Sequence, residues 1–172
     1  MKYANIKYCD IANGLGVRTS LFVSGCTHRC DGCFNEEAWD FNYGEEFTDE
    51  VIETILESCA PSHINGLTLL GGEPMELNNQ RGLLPLVKRF KERFPDKDIW
   101  CYTGFTYEKD ILDAQGRAHC EVTDELLSGI DILVDGRFDQ DQYDISLAFR
   151  GSANQRVLQI HRDGCPELFS VK

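Results

Sequence analysis

Three cysteines, Cys26, Cys30 and Cys33, lie within the short segment GCTHRCDGC. Their spacing, C-x3-C-x2-C, allows three thiolates to surround one compact inorganic centre. A structural zinc site normally has four ligands, often supplied by two cysteine pairs or by a cysteine pair and a histidine pair. A [4Fe–4S] cube has four irons, so three cysteines leave one iron without a protein ligand. The segment therefore predicts an iron–sulfur cluster with one position open for chemistry.

A second motif, GGEP at residues 71–74, follows the apolar run GLTLL. Gly71 and Gly72 can adopt backbone conformations closed to other residues and allow the chain to approach a ligand closely. Glu73 offers a carboxylate, and Pro74 stiffens the exit from the turn. Carboxylates and backbone carbonyls are the acceptors that an ammonium group requires. This turn is therefore a candidate binding site for a ligand that carries an amino group.

Both motifs follow predicted strands. Apolar runs predict strands over 19–24, 66–70, 98–103, 130–135 and 156–161, whereas helical periodicity predicts helices over 49–59 and 80–94 and a helical region over 106–129 broken near Gly116. This alternation predicts an α/β protein with a largely parallel sheet. Ligands bind outside the carboxyl ends of such strands. The loops GCTHRCDGC, GGEP, GFTYE and DGRFD should therefore meet at one rim, where Asp135 could bind a ribose hydroxyl, a cation or a backbone donor.

Composition limits the classes of function. The length of 172 residues predicts one domain over residues 1–172, with the balance of a soluble globular protein: 42% hydrophobic and 27% charged. The net charge of −12 disfavours binding to nucleic acid or to an anionic membrane. No signal peptide or membrane-spanning run is evident. We therefore expect a cytoplasmic protein, in which eight cysteines indicate metal or redox chemistry rather than disulfides.

The C-x3-C-x2-C motif followed by GGEP resembles the radical S-adenosylmethionine (SAM) superfamily. The resemblance implies that the three cysteines hold a catalytic [4Fe–4S] cluster and that SAM chelates the open iron. It also implies that Gly71–Pro74 hold the amino group of SAM. Many members carry an aromatic residue before the third cysteine, where this chain has Gly32. Contacts to the adenine are therefore expected from the backbone of Gly32, Cys33 and Phe34 or from the Phe34 ring.

A wider pattern, from about residue 8 to 158, resembles the activating enzymes of anaerobic ribonucleoside-triphosphate reductases. It comprises DIANGLGVRTSLFVSGCTHRCDGCFN, GGEP, YTGFTYE, ILVDGRF and RGSANQRV. The resemblance implies reductive cleavage of SAM to methionine and a 5′-deoxyadenosyl radical, which takes a hydrogen from a glycine near the C-terminus of the reductase. The implied partners are that reductase, a flavodoxin-like electron donor and a second copy of the chain. Because a full eight-unit barrel takes about 250 residues, we expect an open partial (β/α) barrel of the radical SAM type with a mostly parallel sheet.

Other interpretations remain open. The chain could activate another glycyl-radical enzyme such as pyruvate formate-lyase, although those activating enzymes are usually longer and the RGSANQR segment argues against it. A non-enzymatic iron–sulfur electron carrier would normally supply four cysteines per cluster. A zinc site could be completed by distant residues such as His161 and Cys165. Cys59 and Cys101 are expected in the core. His28 is expected to pack within the loop or to donate a hydrogen bond near the cluster rather than to bind it. GSANQR either closes the site or meets the partner, or is a solvated turn.

Overall fold

The computed structural model describes residues 1–160 and 166–169. Within these residues one sheet has the strand order β3-β1-β2-β4-β5-β6-β7-β8. The strands are β1 (Lys2–Asp10), β2 (Arg18–Val23), β3 (Glu45–Glu46), β4 (Gly66–Gly71), β5 (Asp98–Tyr102), β6 (Ile132–Asp135), β7 (Arg156–Ile160) and β8 (Pro166–Leu168). The α-helices are α1 (Asp49–Cys59), α2 (Leu77–Arg93) and α3 (Thr123–Leu127), with 3-10 turns at Glu36–Trp39 and Gln140–Gln142 and a π-helical turn at Tyr107–Leu112.

The sheet is parallel only in its centre. Strands β2, β4, β5 and β6 run parallel, whereas β1 is antiparallel to β2 and β3, and β7 is antiparallel to β6 and β8. The expectation of a mostly parallel sheet is therefore wrong for both edges. Parallel neighbours need a crossover, usually through a helix. The short loop 11–17 makes β1 and β2 a hairpin, and segment 136–155 has no α-helix and folds back over the sheet.

Helix boundaries follow the predicted pattern only in part. Helix α1 matches its prediction, and its first turn is capped by Thr48, whose hydroxyl accepts from Val51 N. Helix α2 begins at Leu77, directly after the GGEP turn, so Pro85 lies in its interior rather than near its start. The predicted helical region 106–129 contains only the π-helical turn and α3, with turns between them. No helix in the described part of the chain is long and apolar enough to span a membrane.

Two separate hydrophobic clusters pack on the two faces of the sheet. On one face the helices cover a core that includes Leu21, Leu69 and Phe90. Cys59 and Cys101 are fully buried in this core, as expected, and burial raises the pKa of both thiols. The opposite face carries a smaller cluster formed by Trp100, Ile132, Val134 and Val157. The described part of the sheet forms an open arrangement, and loops rather than helices lie over the carboxyl ends of its central strands.

Candidate functional site

A cavity of about 330 Å³ lies at the carboxyl ends of β2, β4, β5 and β6. All four loops that were predicted to meet at one rim contribute to it. They supply Cys26, His28, Cys30, Cys33, Gly71, Gly72, Glu73, Thr103, Gly104, Gly136 and Phe138. The parallel register of the four central strands brings these loops together, because parallel strands end at the same edge of a sheet.

The loop that carries the cysteines is fastened by backbone hydrogen bonds at both of its ends. Gly25 N donates to Ala38 O at 2.8 Å, and Cys26 N donates to Trp39 O at 3.2 Å. Gly25 has a φ of +96°, a conformation that favours glycine, and an added Cβ would collide with the Phe41 ring. One side of the cavity, which we call the cysteine wall, is lined by Cys26, His28, Cys30, Cys33 and residues 71–73.

The glycines of the GGEP turn fit against the cysteine loop. A Cβ on Gly71 would lie 2.7 Å from Phe22 Cα, and one on Gly72 would lie 2.7 Å from Gly25 O. The amide of Gly72 donates to Val23 O at 2.7 Å, and that of Glu73 donates to Gly25 O at 2.9 Å. Both glycines line the cavity, but the steric need for them comes from the neighbouring backbone rather than from a ligand. The two motifs thus form a single hydrogen-bonded unit.

Glu73 joins three of the loops. Its Oε2 accepts from His28 Nε2 at 3.0 Å and from Gly104 N at 2.7 Å, and its Oε1 accepts from Met75 N at 2.8 Å. The carboxylate is 1% exposed. Three donors occupy three of its roughly four acceptor sites, which leaves about one for a ligand. His28 therefore acts as a donor to Glu73, and its ring packs edge-on against Phe105 at 4.4 Å.

The three thiols differ in their environments. Cys26 is 9% exposed, and burial, with a further contribution from the charge of Glu73, raises the pKa of its thiol to about 12. Cys30 and Cys33 are half-buried. Asn35 N donates to Cys33 Sγ at 3.4 Å, and the proximity of Cys30 raises the pKa of Arg137. Because thiolates are the metal ligands, binding of a metal centre here must release the proton of Cys26.

The donor set fits a cluster better than a single ion. Within residues 1–160 and 166–169, no group of three or more His, Cys, Asp or Glu side chains is arranged to hold one metal ion. The sulfurs around a tetrahedral zinc, at about 2.3 Å from the metal, would lie about 3.8 Å apart. Cysteines that bind different irons of a cube lie further apart, and three cysteine thiols of one loop line this cavity. The suggested zinc ligands His161 and Cys165 lie outside the described residues.

Three residues proposed from the sequence do not line the cavity. Gly32, with a φ of +71°, packs against the side chain of Gln140. Pro74 is buried in the turn that leads into α2. Asp135 is 1% exposed, and its carboxylate accepts from Arg156 Nε at 2.9 Å, from Arg156 Nη2 and from Tyr107 N at 2.9 Å. Of the three kinds of partner suggested for Asp135, two are present in the structure: the cationic side chain of Arg156 and the backbone donor Tyr107 N.

Phe34, which directly follows the third cysteine, does line the cavity. Its side chain is 85% exposed, and its ring lies 6.1 Å from that of Phe138 and 6.4 Å from that of Tyr143. These aromatic rings stand at the open side of the cavity.

The facing side of the cavity is formed by residues 136–155, which we call the outer wall. Arg150, Gly151 and Gln155 line the cavity. The Gln155 side chain accepts from Gly151 N at 2.9 Å and from Ser152 N at 3.2 Å, and it donates to Gly136 O at 2.9 Å. GSANQR is therefore an ordered part of the cavity rather than a solvated turn. Its polar composition alone is equally compatible with a solvated turn.

The cavity residues that sequence reasoning missed include Asn13, Trp39 and Tyr102. Asn13 lies in the β1–β2 loop, where its Nδ2 donates to Asp10 Oδ2 at 2.6 Å and its carbonyl accepts from Thr68 Oγ1 at 2.8 Å. Tyr102 carries no signal along the chain, because an aromatic residue in an apolar run is normally a core residue, and Trp39 belongs to no motif.

Comparison with known proteins agrees with this geometry. The family model of a 4Fe-4S single cluster domain matches residues 12–158. The chain is 46% identical over 159 residues to the anaerobic ribonucleoside-triphosphate reductase-activating protein of Haemophilus influenzae, covering 91% of this chain and 97% of that relative. It is 38% identical over 157 residues to the protein of the same name from Enterobacteria phage T4, covering 91% of this chain and 93% of that relative. The Escherichia coli K12 protein of this name is 42% identical over 159 residues, covering 91% of this chain and 97% of the relative.

Proposed function

Since this chain belongs to the family of anaerobic ribonucleoside-triphosphate reductase-activating proteins, we propose that it is a radical SAM enzyme that generates a glycyl radical on such a reductase. One observation carries the proposal: the three cysteines and the GGEP turn line the same cavity at the carboxyl ends of parallel strands. When bound there, a reduced [4Fe–4S] cluster would supply the electron that cleaves SAM to methionine and a 5′-deoxyadenosyl radical.

The cysteine wall would hold both cofactors. Cys26, Cys30 and Cys33 would each bind one iron, and the fourth iron would be left for SAM. Gly71, Gly72 and Glu73 would bind the amino group of SAM through backbone carbonyls and through the acceptor site that Glu73 retains, while the buried Pro74 would stiffen the turn. The hydrogen bond from His28 to Glu73 fixes the position of the cysteine loop relative to the GGEP turn, and the bond from Gly104 to Glu73 fixes the loop after β5 against the same turn. This preorganisation would let SAM bind beside the cluster without rearrangement of the loops.

The outer wall would cover the nucleoside. Cys33 and Phe34 are proposed to contact the adenine through their backbone or through the Phe34 ring, whereas Gly32 packs against Gln140. Segment 136–155 would limit access of water. We assign Asp135 to the support of this wall rather than to the ligand, because its carboxylate already binds Arg156 and Tyr107 N. A reactive radical requires such shielding, since the protein must exclude competing reactions.

The proposal extends to the partners and the architecture. The reductase would present its glycine at the open side of the cavity, a flavodoxin-like protein would supply electrons, and the chain would pair with a second copy. The open sheet in the described residues supports a partial (β/α) barrel of the radical SAM type. The arrangement of all described elements around one sheet supports a single domain over residues 1–172. We place the enzyme in the cytoplasm, where its thiols would stay reduced.

Electron paramagnetic resonance would test the proposal. The cluster is reconstituted without oxygen and reduced with dithionite, and spectra are recorded with and without SAM. We expect a [4Fe–4S]⁺ signal that changes when SAM is added, followed by a glycyl radical signal when the reductase is included. A cluster signal indifferent to SAM would instead identify an electron carrier, and zinc without iron would identify a structural site. A SAM-dependent change with no radical on the reductase would redirect the search to another glycyl-radical enzyme.

A further inference from the structure

The floor of the cavity contains a polar group that has no partner. Tyr102, the last residue of β5, lines the cavity, and its hydroxyl oxygen is buried without a hydrogen-bond partner among the described residues. The ring itself packs against the apolar cluster of Trp100, Ile132, Val134 and Val157. A buried donor without an acceptor costs free energy, so such groups in native proteins call for an explanation.

The protonation state of this hydroxyl makes it a donor. Burial raises the pKa of Tyr102 above its ordinary value; the charge of Arg18 opposes this rise, and the charge of Asp10 adds to it. The group therefore keeps its proton throughout the neutral range. The other side chains of the floor, Phe22 and Leu70, are apolar. The Tyr102 hydroxyl is thus an unpaired donor beside the apolar side chains of Phe22 and Leu70, and a few polar groups among apolar ones are what fix the orientation of a ligand.

The position of Tyr102 indicates which part of a ligand it meets. Strand β5 is two strands away from β2, the strand that leads into the cysteine loop. At about 4.8 Å between neighbouring strands, this places Tyr102 about 10 Å across the sheet from β2. If the amino-acid end of SAM occupies the cysteine wall, its nucleoside lies in the remainder of the cavity, which Tyr102 helps to line. Ribose oxygens and adenine ring nitrogens offer the acceptors that a tyrosine hydroxyl requires.

We propose that the Tyr102 hydroxyl donates a hydrogen bond to the nucleoside half of the SAM molecule, and that this contact selects adenosyl ligands. The inference rests on the proposed function, because it takes SAM as the occupant of the cavity. It makes Tyr102 a specificity-determining residue on the third of the parallel strands, separate from the cysteine and GGEP motifs.

The test compares binding to the cluster-loaded wild type and to the Tyr102→Phe variant, which keeps the ring and removes only the hydroxyl. Equilibrium dialysis without oxygen measures affinity for SAM, 5′-deoxyadenosine and methionine separately. We expect about 3–10-fold weaker binding of SAM and 5′-deoxyadenosine, the range of one ordinary hydrogen bond, and unchanged binding of methionine. Without ligand, the variant should melt at the same temperature as wild type or higher, because an unpaired buried donor has been removed.

Ser24→Ala is the matched control. The Ser24 hydroxyl is also buried without a partner among the described residues, but Ser24 does not line the cavity. Its removal should leave all three affinities unchanged. Equal binding of SAM and 5′-deoxyadenosine by wild type and Tyr102→Phe would overturn the inference, as would a loss confined to methionine. Methionine binding by the variant also reports that its site is folded. If wild-type protein failed to bind SAM at all, the proposed function itself would fall, together with the inference.

Discussion

The two sides of the cavity are built in different ways. The cysteine wall is held by backbone hydrogen bonds and by the buried carboxylate of Glu73. The outer wall has no α-helix and only a short 3-10 turn, and its order depends on side chains such as Gln155. It also carries exposed apolar groups, including Ile145, which is 88% exposed. The contrast indicates that the side proposed to hold the cluster is fixed in advance, whereas the side open to partners is held more weakly.

The largest effect should come from the cysteines themselves. Alanine in place of any one of Cys26, Cys30 or Cys33 should abolish SAM cleavage, because a lost thiolate leaves the cluster with two protein ligands. Iron and sulfide content after reconstitution, together with methionine release, would measure this. Cys59→Ala and Cys120→Ala are the controls, and both should retain near-normal turnover once folding is verified. Retained cleavage in a Cys33→Ala variant would contradict the cluster assignment.

Glu73→Gln should have the next largest effect. The amide keeps the size of the side chain but sets one NH₂ group against the N–H donors of His28, Gly104 and Met75, so at least one buried donor loses its acceptor. We expect a loss of about 1–3 kcal/mol in the free energy of unfolding and poor retention of the cluster. Urea denaturation and the iron content after gel filtration would measure the two effects. Glu121→Gln, in an exposed ion pair with Arg81, provides the control and should change neither. Wild-type stability in Glu73→Gln would refute the role of Glu73 as the joint between loops.

Asp10, the last residue of β1, holds the β1–β2 loop beside the cavity through its bonds to Ala12 N and Asn13, and it should give a pH-dependent effect. Its carboxylate accepts from Lys7, Ser20, Asn13 and Ala12 N. Although burial alone would raise the pKa of Asp10, these bonds lower it well below its ordinary value. The stabilisation is present above the pKa of the unfolded chain, about 3.9, and is lost as pH falls toward the lowered folded pKa.

An Asp10→Asn variant should therefore be less stable than wild type at pH 7, and the difference should narrow below about pH 4. Thermal melts between pH 2.5 and pH 7 would show this convergence. A difference that stays constant over the whole range would mean that the ionised carboxylate contributes nothing.

The smallest effect should come from the outer wall. Gln155→Ala removes three hydrogen bonds within segment 136–155, so the wall should loosen while the cysteine wall is unchanged. We expect about 3–10-fold weaker SAM binding with normal iron content. Gln142→Ala, which removes an exposed bond to Asp139 in the same segment, is the matched control and should bind SAM normally. Loss of iron in Gln155→Ala would show that the two walls are not independent.

Sequence reasoning predicted the central, parallel part of the sheet correctly. The apolar runs predict strands β2, β4, β5 and β6, and their alternation with helices predicts that the loops after them meet at one rim. It did not predict β1 or the antiparallel edges. Most of β1 is exposed or half-exposed and mixes polar with apolar residues, so it has no clear period, and its pairing depends on the hairpin with β2. Edge strands gain their stability from neighbours rather than from their own pattern.

The sequence by itself determined the chemistry that is available: three thiolates at a spacing that suits one cluster, and a glycine turn that carries a carboxylate. These are local properties, because they depend on residues a few positions apart. Only the tertiary structure decided how those groups are used. Glu73 and His28 are 45 positions apart, and Asp135 and Arg156 are 21 apart. Such bonds depend on the register of neighbouring strands and on the path of loops over the sheet. Spacing along the chain therefore could not show that protein donors occupy most acceptor sites of Glu73. It also could not show that the buried Tyr102 hydroxyl has no hydrogen-bond partner among the described residues.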